Sequence, residues 1–270
     1  MKYFNNKNVF ITGGTSGIGL EMGKQLSKSG AHVVLFGRKG LEEAKETIAL
    51  QSDTNKVHAI YTETTDLNTV VSAFAEGNNL LGGVDIVIHS AGIGRCVPFN
   101  DFTKDDFEEL INVNVFGTRN VAEAAFPLLK VSQGQLMLIA SLAGIVPNYG
   151  YSAYSSSKFA TIGFAGVLRS EWKPMGVQVS VACPPEIDTP LVEAERLESP
   201  KVAKVLKQFA GNLSLEVACK KLLRGLANKN YMIIPGWKAK FVAINQGLFP
   251  SLNNRITDFI IRMFLKKEKG

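Results

Sequence analysis

NVFITGGTSGIG, residues 8–19, reads as a short apolar strand that runs into a glycine-rich turn and the start of a helix. Asn8-Val9-Phe10-Ile11 supplies the strand, and Leu20, Gly23, Lys24, Leu26 and Ala31 suggest a helix packed on a sheet. This strand–turn–helix arrangement is the local physics of dinucleotide binding. Gly13 permits the tight turn, Gly17 lets the backbone approach a pyrophosphate, and Gly19 allows close helix–strand packing. Thr15, Ser16 and Ile18 fill the turn as further candidate cofactor contacts. The helix start adds free N–H groups and the positive end of its dipole. The glycine spacing is G-x-x-x-G-x-G rather than the commoner G-x-G-x-x-G.

Outward from this turn, apolar strands and amphipathic helices alternate. Residues 31–36 form a second strand that ends at Arg38 and Lys39. An acidic residue at that tip favours a free ribose 2′-hydroxyl, and a basic one favours a 2′-phosphate. No acid stands there, so Arg38 and Lys39 point to NADP(H) rather than to a merely solvated basic turn. A helix is predicted over 41–50, a strand over 57–61, and a helix over 67–80 capped by Asp66. A fourth strand over 84–88 ends in His89, Ser90, Ala91 and Gly92, small residues that let a cofactor lie flat. His89 reads as a hydrogen-bonded structural histidine or as a base. Residues 102–129 are predicted mostly helical, with Asn112 and Asn114 inside, where asparagine is a poor choice unless held for a reason. Strands over 136–140, 177–182 and 231–234 complete the alternation. Such βαβ spacing gives an α/β domain: a parallel sheet with helices on both faces and ligands at the carboxyl ends of its strands.

Three polar side chains fall at one such end. Ser141 follows the strand 136–140, and Tyr154 and Lys158 share one face of a helix at i and i+4. A phenol beside an ammonium is a tunable acid, and the ammonium is expected to draw the phenol pKa down from about 10.

The chain has 270 residues and a 46% hydrophobic content, enough for one large core. Cys96, Cys183 and Cys219 are scattered, without metal or disulfide spacing, which suits a reducing compartment. No apolar leader and no spanning helix is predicted, so a cytoplasmic location is the expectation. The net charge of +6 is uneven. Residues 1–199 carry 16 Lys+Arg and 21 Asp+Glu, whereas residues 200–270 carry 14 Lys+Arg and 3 Asp+Glu.

Together, TGGTSGIG, Asp66, Ala91-Gly92, Asn114 followed by Val-Phe-Gly, Ser141, and Tyr154 with Lys158 resemble the short-chain dehydrogenase/reductase family over about residues 7–234. The resemblance implies a single-domain, Rossmann-type doubly wound parallel sheet that binds NADP(H). It implies that Tyr154 is the general acid/base, that Lys158 lowers its pKa and holds the nicotinamide ribose, and that Ser141 binds the substrate oxygen. Asn114 would anchor a water in a proton relay, and Asp66 with Leu67 would meet the adenine. Pro184, Ile187 and Thr189 would meet the cofactor after the sixth strand. Two departures stand out. His89 replaces the family's usual asparagine, and Pro184-Pro185 replaces its Pro-Gly, stiffening that loop and removing a backbone donor. VACPPEIDTP (181–190) and the basic, apolar C-terminus are similar to the 3-ketodihydrosphingosine reductase branch. That branch implies NADPH-dependent reduction of the 3-keto group of a long-chain sphingoid lipid. A reductase of a steroid or retinoid, and a non-catalytic NADP-binding regulator, are the alternatives.

The expected division is a catalytic domain over 1–235, with a helical lid at about 186–213, and a basic amphipathic extension over 236–270. In the extension one helix is predicted over 238–248 and another capped by Asn254. Ile256, Phe259, Ile260, Met263 and Phe264 repeat at i, i+3, i+4, i+7, i+8 beside basic residues. Such a helix suits a bilayer interface, the parent domain, or a second copy in a homo-oligomer. The tail has few aromatics and matches no nucleic-acid module, so nucleic acid is not an expected partner.

Overall fold

The computed structural model describes residues 1–50, 57–189, 192–193, 195–196 and 199–267. Strand β1 (Asn8–Thr12) leads through α1 (Gly17–Ser27) to β2 (His32–Gly37), and α2 (Leu41–Ala49) leads to β3 (Val57–Tyr61). After α3 (Leu67–Leu81) the chain crosses to β4 (Ile86–His89), then α4 (Lys104–Ile111), α5 (Gly117–Ser132) and β5 (Gln135–Ile139). α6 (Ser152–Trp172) and β6 (Gln178–Ala182) follow. Beyond these lie β7 (Glu186–Ile187), α7 (Lys201–Gln208), β8 (Asn212–Leu213), α8 (Leu215–Ala227), β9 (Met232–Ile233), α9 (Trp237–Leu248) and α10 (Pro250–Lys267). Seven strands pair in parallel in the order β3-β2-β1-β4-β5-β6-β9, and β7 pairs with β8 apart from them.

The pleat sends alternate residues to opposite faces. Val9, Ile11, Val33 and Leu35 enter one core cluster with residues of α1, α2 and α8. Phe10, Val34 and Phe36 enter another with residues of α3, α5 and α6. In the second, Phe10 meets Phe36 and Phe74 edge to face, with centroids 5.1 and 5.4 Å apart. Strand order reverses between β1 and β4, which opens a crevice at their carboxyl ends, where ligands bind in such sheets.

Two predicted segments fold differently. The helix expected over 102–129 is interrupted by a π turn over Asn112–Phe116. The helix expected after Asn254 begins at Pro250, which suits a first turn because its missing N–H is not needed there, and Asn254 lies inside it. Among the described residues no helix is long and apolar enough to cross a membrane, and no group of His, Cys, Asp and Glu is placed to hold a metal.

Candidate active site

Two cavities meet at the crevice. The first, about 300 Å³, is lined by Gly13, Thr15, Ser16, Gly17 and Ile18 of the glycine turn, by Arg38 and Lys39 beyond β2, and by Ala91 and Gly92 beyond β4. The turn is tight for a stated reason. Gly13 has φ +64 and Gly17 φ +49, and a Cβ on Gly19 would lie 2.2 Å from the Gly13 carbonyl oxygen. Ser16 makes no side-chain cap on α1, so the helix's first amides face the cleft. A Cβ on Gly92 would sit 3.0 Å from Asn114 Oδ1 and 3.5 Å from Lys158 Nζ, so glycine keeps that floor open. These walls fit a dinucleotide: amides for a diphosphate, a flat floor for a ring and two cations at one end.

Arg38 Nη1 lies 3.2 Å from Glu63 Oε2. Burial alone would raise the Glu63 carboxyl, but bonds from Thr65 and Arg38 outweigh it and leave the pKa lowered. Asp66 and Leu67 do not line this cleft; Asp66 accepts from the Asn68 amide at 2.9 Å and caps α3. Thr62, Glu63 and Thr64 line it instead. They lie beyond the end of β3, where a strand-end rule would have pointed to them.

The second cavity, about 460 Å³, holds Ser141, Tyr154 and Lys158 together with Pro184, Ile187 and Thr189. It shares Ile18, Ser90, Gly92, Ile93 and Thr189 with the first. Ser141 leaves β5 and accepts from the Ala143 amide at 3.1 Å, which fixes its rotamer towards Tyr154. Lys158 Nζ donates to the Ile139 carbonyl at 3.1 Å and lies 5.6 Å from the Tyr154 ring centre. Burial pushes Lys158 down to about 8. The phenol of Tyr154 departs from expectation. Burial pushes it up to about 12, against the lowering by the Ser141 hydrogen bond, and the Glu195 carboxylate adds to the rise. Charged Lys158 does not reverse a shift that desolvation dominates.

Asn114 sits in the π turn, 1% exposed. Its Oδ1 accepts from the Ile93 amide and its Nδ2 donates to the Ile93 carbonyl, both at 2.9 Å, and Nδ2 also reaches Ser157 Oγ at 3.0 Å. The wide turn turns this asparagine inward, off a regular helix. His89 is buried, bonded through Nδ1 to Thr12 Oγ1 at 2.7 Å and through Nε2 to Thr118 Oγ1 at 3.0 Å. Burial, with Lys158 nearby, pushes it down to about 3, a neutral structural histidine.

The far walls come from Tyr151, from the segment expected as a lid at about 186–213, and from the C-terminal extension. Tyr151, Glu195 and Lys207 line one side. Phe241 and Val242 of α9 and Ile256 and Ile260 of α10 line the other. The extension therefore packs over the cavity of its own chain, with α10 against α7. Lys207 ties the segment down, pairing with Glu195 and, at 3.3 Å, with Glu186.

The sequence profile described as short chain dehydrogenase matches residues 7–200. The chain is 31% identical over 233 residues to a 3-dehydrosphinganine reductase of Danio rerio, covering 84% of this chain and 70% of the relative. It is 28% identical over 264 residues to an 11-beta-hydroxysteroid dehydrogenase-like protein of Arabidopsis thaliana, covering 96% of this chain and 83% of that one. A short chain dehydrogenase from Burkholderia cenocepacia, solved in complex with NADP, superposes with a TM-score of 0.78 at 21% identity, over 94% of this chain and 98% of that one. The family match over most of the sheet, the sheet order and the strand-end cavities agree, and the chain belongs to the short chain dehydrogenase family.

Proposed function

We propose that the protein reduces the ketone of a long-chain sphingoid lipid, 3-ketodihydrosphingosine, to its alcohol with NADPH. One observation carries this: a largely apolar cavity, walled by α9 and α10, ends at Tyr154 and opens into the dinucleotide cleft. The names of the Danio rerio and Mus musculus relatives support the substrate class. Gly13, Thr15, Ser16, Gly17, Ile18, Ala91 and Gly92 would hold the cofactor. Arg38 and Lys39 would hold its 2′-phosphate, and Thr62, Glu63 and Thr64 line the end where its adenine would lie, with Asp66 and Leu67 just behind them in the chain. NADPH supplies a hydride when bound.

Tyr154 gives its proton to the alkoxide oxygen that forms at the ketone, and Ser141 donates a hydrogen bond to the same oxygen. Its raised pKa keeps Tyr154 protonated at neutral pH, as an acid must be. Lys158, held by Ile139, orients the ribose, and Asn114 steadies the wall through which the proton is replaced. General acid help of this kind is typically worth about 10² to 10⁴-fold. The same extension meets a membrane. Trp237, Phe241, Ile244, Leu248, Phe249 and Phe259 are exposed beside Lys238, Lys240, Arg255 and Arg262, a basic, apolar face suited to an anionic interface.

NADPH oxidation measured with 3-ketodihydrosphingosine beside a 3-ketosteroid and unrelated ketones tests the proposal. Turnover of the steroid alone would replace it with the second reading, which the 96% coverage by the plant relative favours. No turnover of any ketone would leave a non-catalytic NADP-binding protein.

A further inference from the structure

We infer that Glu195 recognises an ammonium on the carbon beside the reacting carbonyl, so that the cavity selects α-amino ketones over neutral ones. This rests on the ketone reduction proposed above. The Glu195 side chain is only 5% exposed, yet it lines the same cavity as Tyr154. Both of its hydrogen bonds fall on Oε1, from the Tyr151 hydroxyl and from Lys207 Nζ. Oε2 takes none among the described residues. It lies beside Gly94: a Cβ built there would stand 3.4 Å from Oε2 and 3.3 Å from Tyr154 Cε2. The unpaired carboxylate oxygen and the edge of the Tyr154 ring thus flank one carbon position.

Charge points the same way. Among the described residues, Glu186, Asp188 and Glu195 pair with two cations, Arg196 and Lys207, and Lys207 is shared between Glu186 and Glu195. A desolvated carboxylate short of one cation is costly until a cation arrives. The same carboxylate acts on Tyr154 through space and raises its pKa. An ammonium next to a bound ketone oxygen sits between the two groups. It would complete the Glu195 pairing and cancel that effect at the proton donor. A neutral ketone leaves Oε2 without a partner. The ketone named for the fish relative's reaction carries an amino group on that adjacent carbon, whereas a steroid ketone does not.

The test uses the full chain and two ketones of equal length, 3-ketodihydrosphingosine and its desamino counterpart, 3-oxo-octadecan-1-ol. The wild-type protein should prefer the amino ketone in kcat/KM, and in Glu195→Gln the ratio of the two kcat/KM values should fall about tenfold or more, as for a lost charged contact. A lid that merely loosens lowers both values together. An unchanged ratio overturns the inference. If neither ketone is reduced, the proposed function falls, and the inference is read from binding instead. Preferential binding of dodecylamine over dodecanol, lost in Glu195→Gln, supports it, and equal binding of the two overturns it.

Discussion

Thr118 Oγ1 donates to the Asn114 carbonyl at 2.6 Å and so offers only a lone pair to His89 Nε2, 3.0 Å away. That sets the tautomer. The His89 proton sits on Nε2, and Nδ1 accepts from the Thr12 hydroxyl. The histidine is thereby a strut between β1, β4 and the π turn that holds Asn114. With a folded pKa of about 3 below an ordinary 6.5, the folded protein binds fewer protons than the unfolded chain across that interval. Stability is therefore lost as pH falls from 6.5 towards 3, by roughly 1.4 kcal/mol per unit from this residue alone. Urea midpoints at pH 7, 6 and 5 should show His89→Asn losing less stability than the wild type. Parallel slopes would exclude a neutral buried histidine.

Tyr154→Phe should lower kcat at least about 10²-fold while NADPH still binds. The pH profile adds a sharper reading. Burial and Glu195 hold the phenol near 12, so reduction, which needs the protonated form, should show its phenol-dependent decline only above pH 10, beyond the Lys158 titration near 8. Alcohol oxidation, which needs the phenolate, should rise over the same range. Replacing Glu195 by Gln removes the charge that adds to the effect of burial, so the alkaline limb should move to lower pH. A limb that stays in place would remove Glu195 from the electrostatics of Tyr154.

Arg38 is shared between Glu63 and whatever sits at the end of the cleft. Arg38→Ala should weaken NADPH about tenfold and NADH far less, the pattern of a lost charged phosphate contact. Glu63→Gln should act in the opposite direction, freeing the guanidinium. Fluorescence titrations with both cofactors read each effect, and an equal loss for NADPH and NADH would place the 2′-phosphate elsewhere.

What was legible in the sequence was local. The strand–glycine turn–helix unit, the strand-end positions of Arg38, Ala91 and Ser141, and the i, i+4 pair Tyr154 and Lys158 depend on neighbours in the chain. What was hidden depends on distant ones. The π turn at Asn112–Phe116 exists because Asn114 bonds Ile93 and Ser157, which no periodicity encodes. The rise of the Tyr154 pKa comes from burial and from a carboxylate 41 residues away. Asp66 caps α3 as its position before that helix suggested, whereas the part of Thr62, Glu63 and Thr64 in lining the cleft follows from the sheet and not from any local pattern.

The two sides of α10 separate two roles that one deletion would confuse. Asn253, Thr257 and Ile260 repeat at helical spacing and line the cavity, whereas Leu252, Arg255, Phe259 and Arg262 are exposed. Ile260→Ala enlarges the cavity wall next to the alkyl chain, so KM for a long-chain ketone should rise about tenfold, as the loss of a buried contact of 1–2 kcal/mol predicts, while a short-chain ketone is little affected. Phe259→Asp leaves that wall intact and places a negative charge on the basic, apolar face. Partitioning onto anionic liposomes in low salt should fall, with KM for a detergent-dispersed ketone unchanged. If Phe259→Asp leaves partitioning as it was, α10 serves the cavity alone. If Ile260→Ala affects short and long ketones equally, the chain of the substrate does not run along α10.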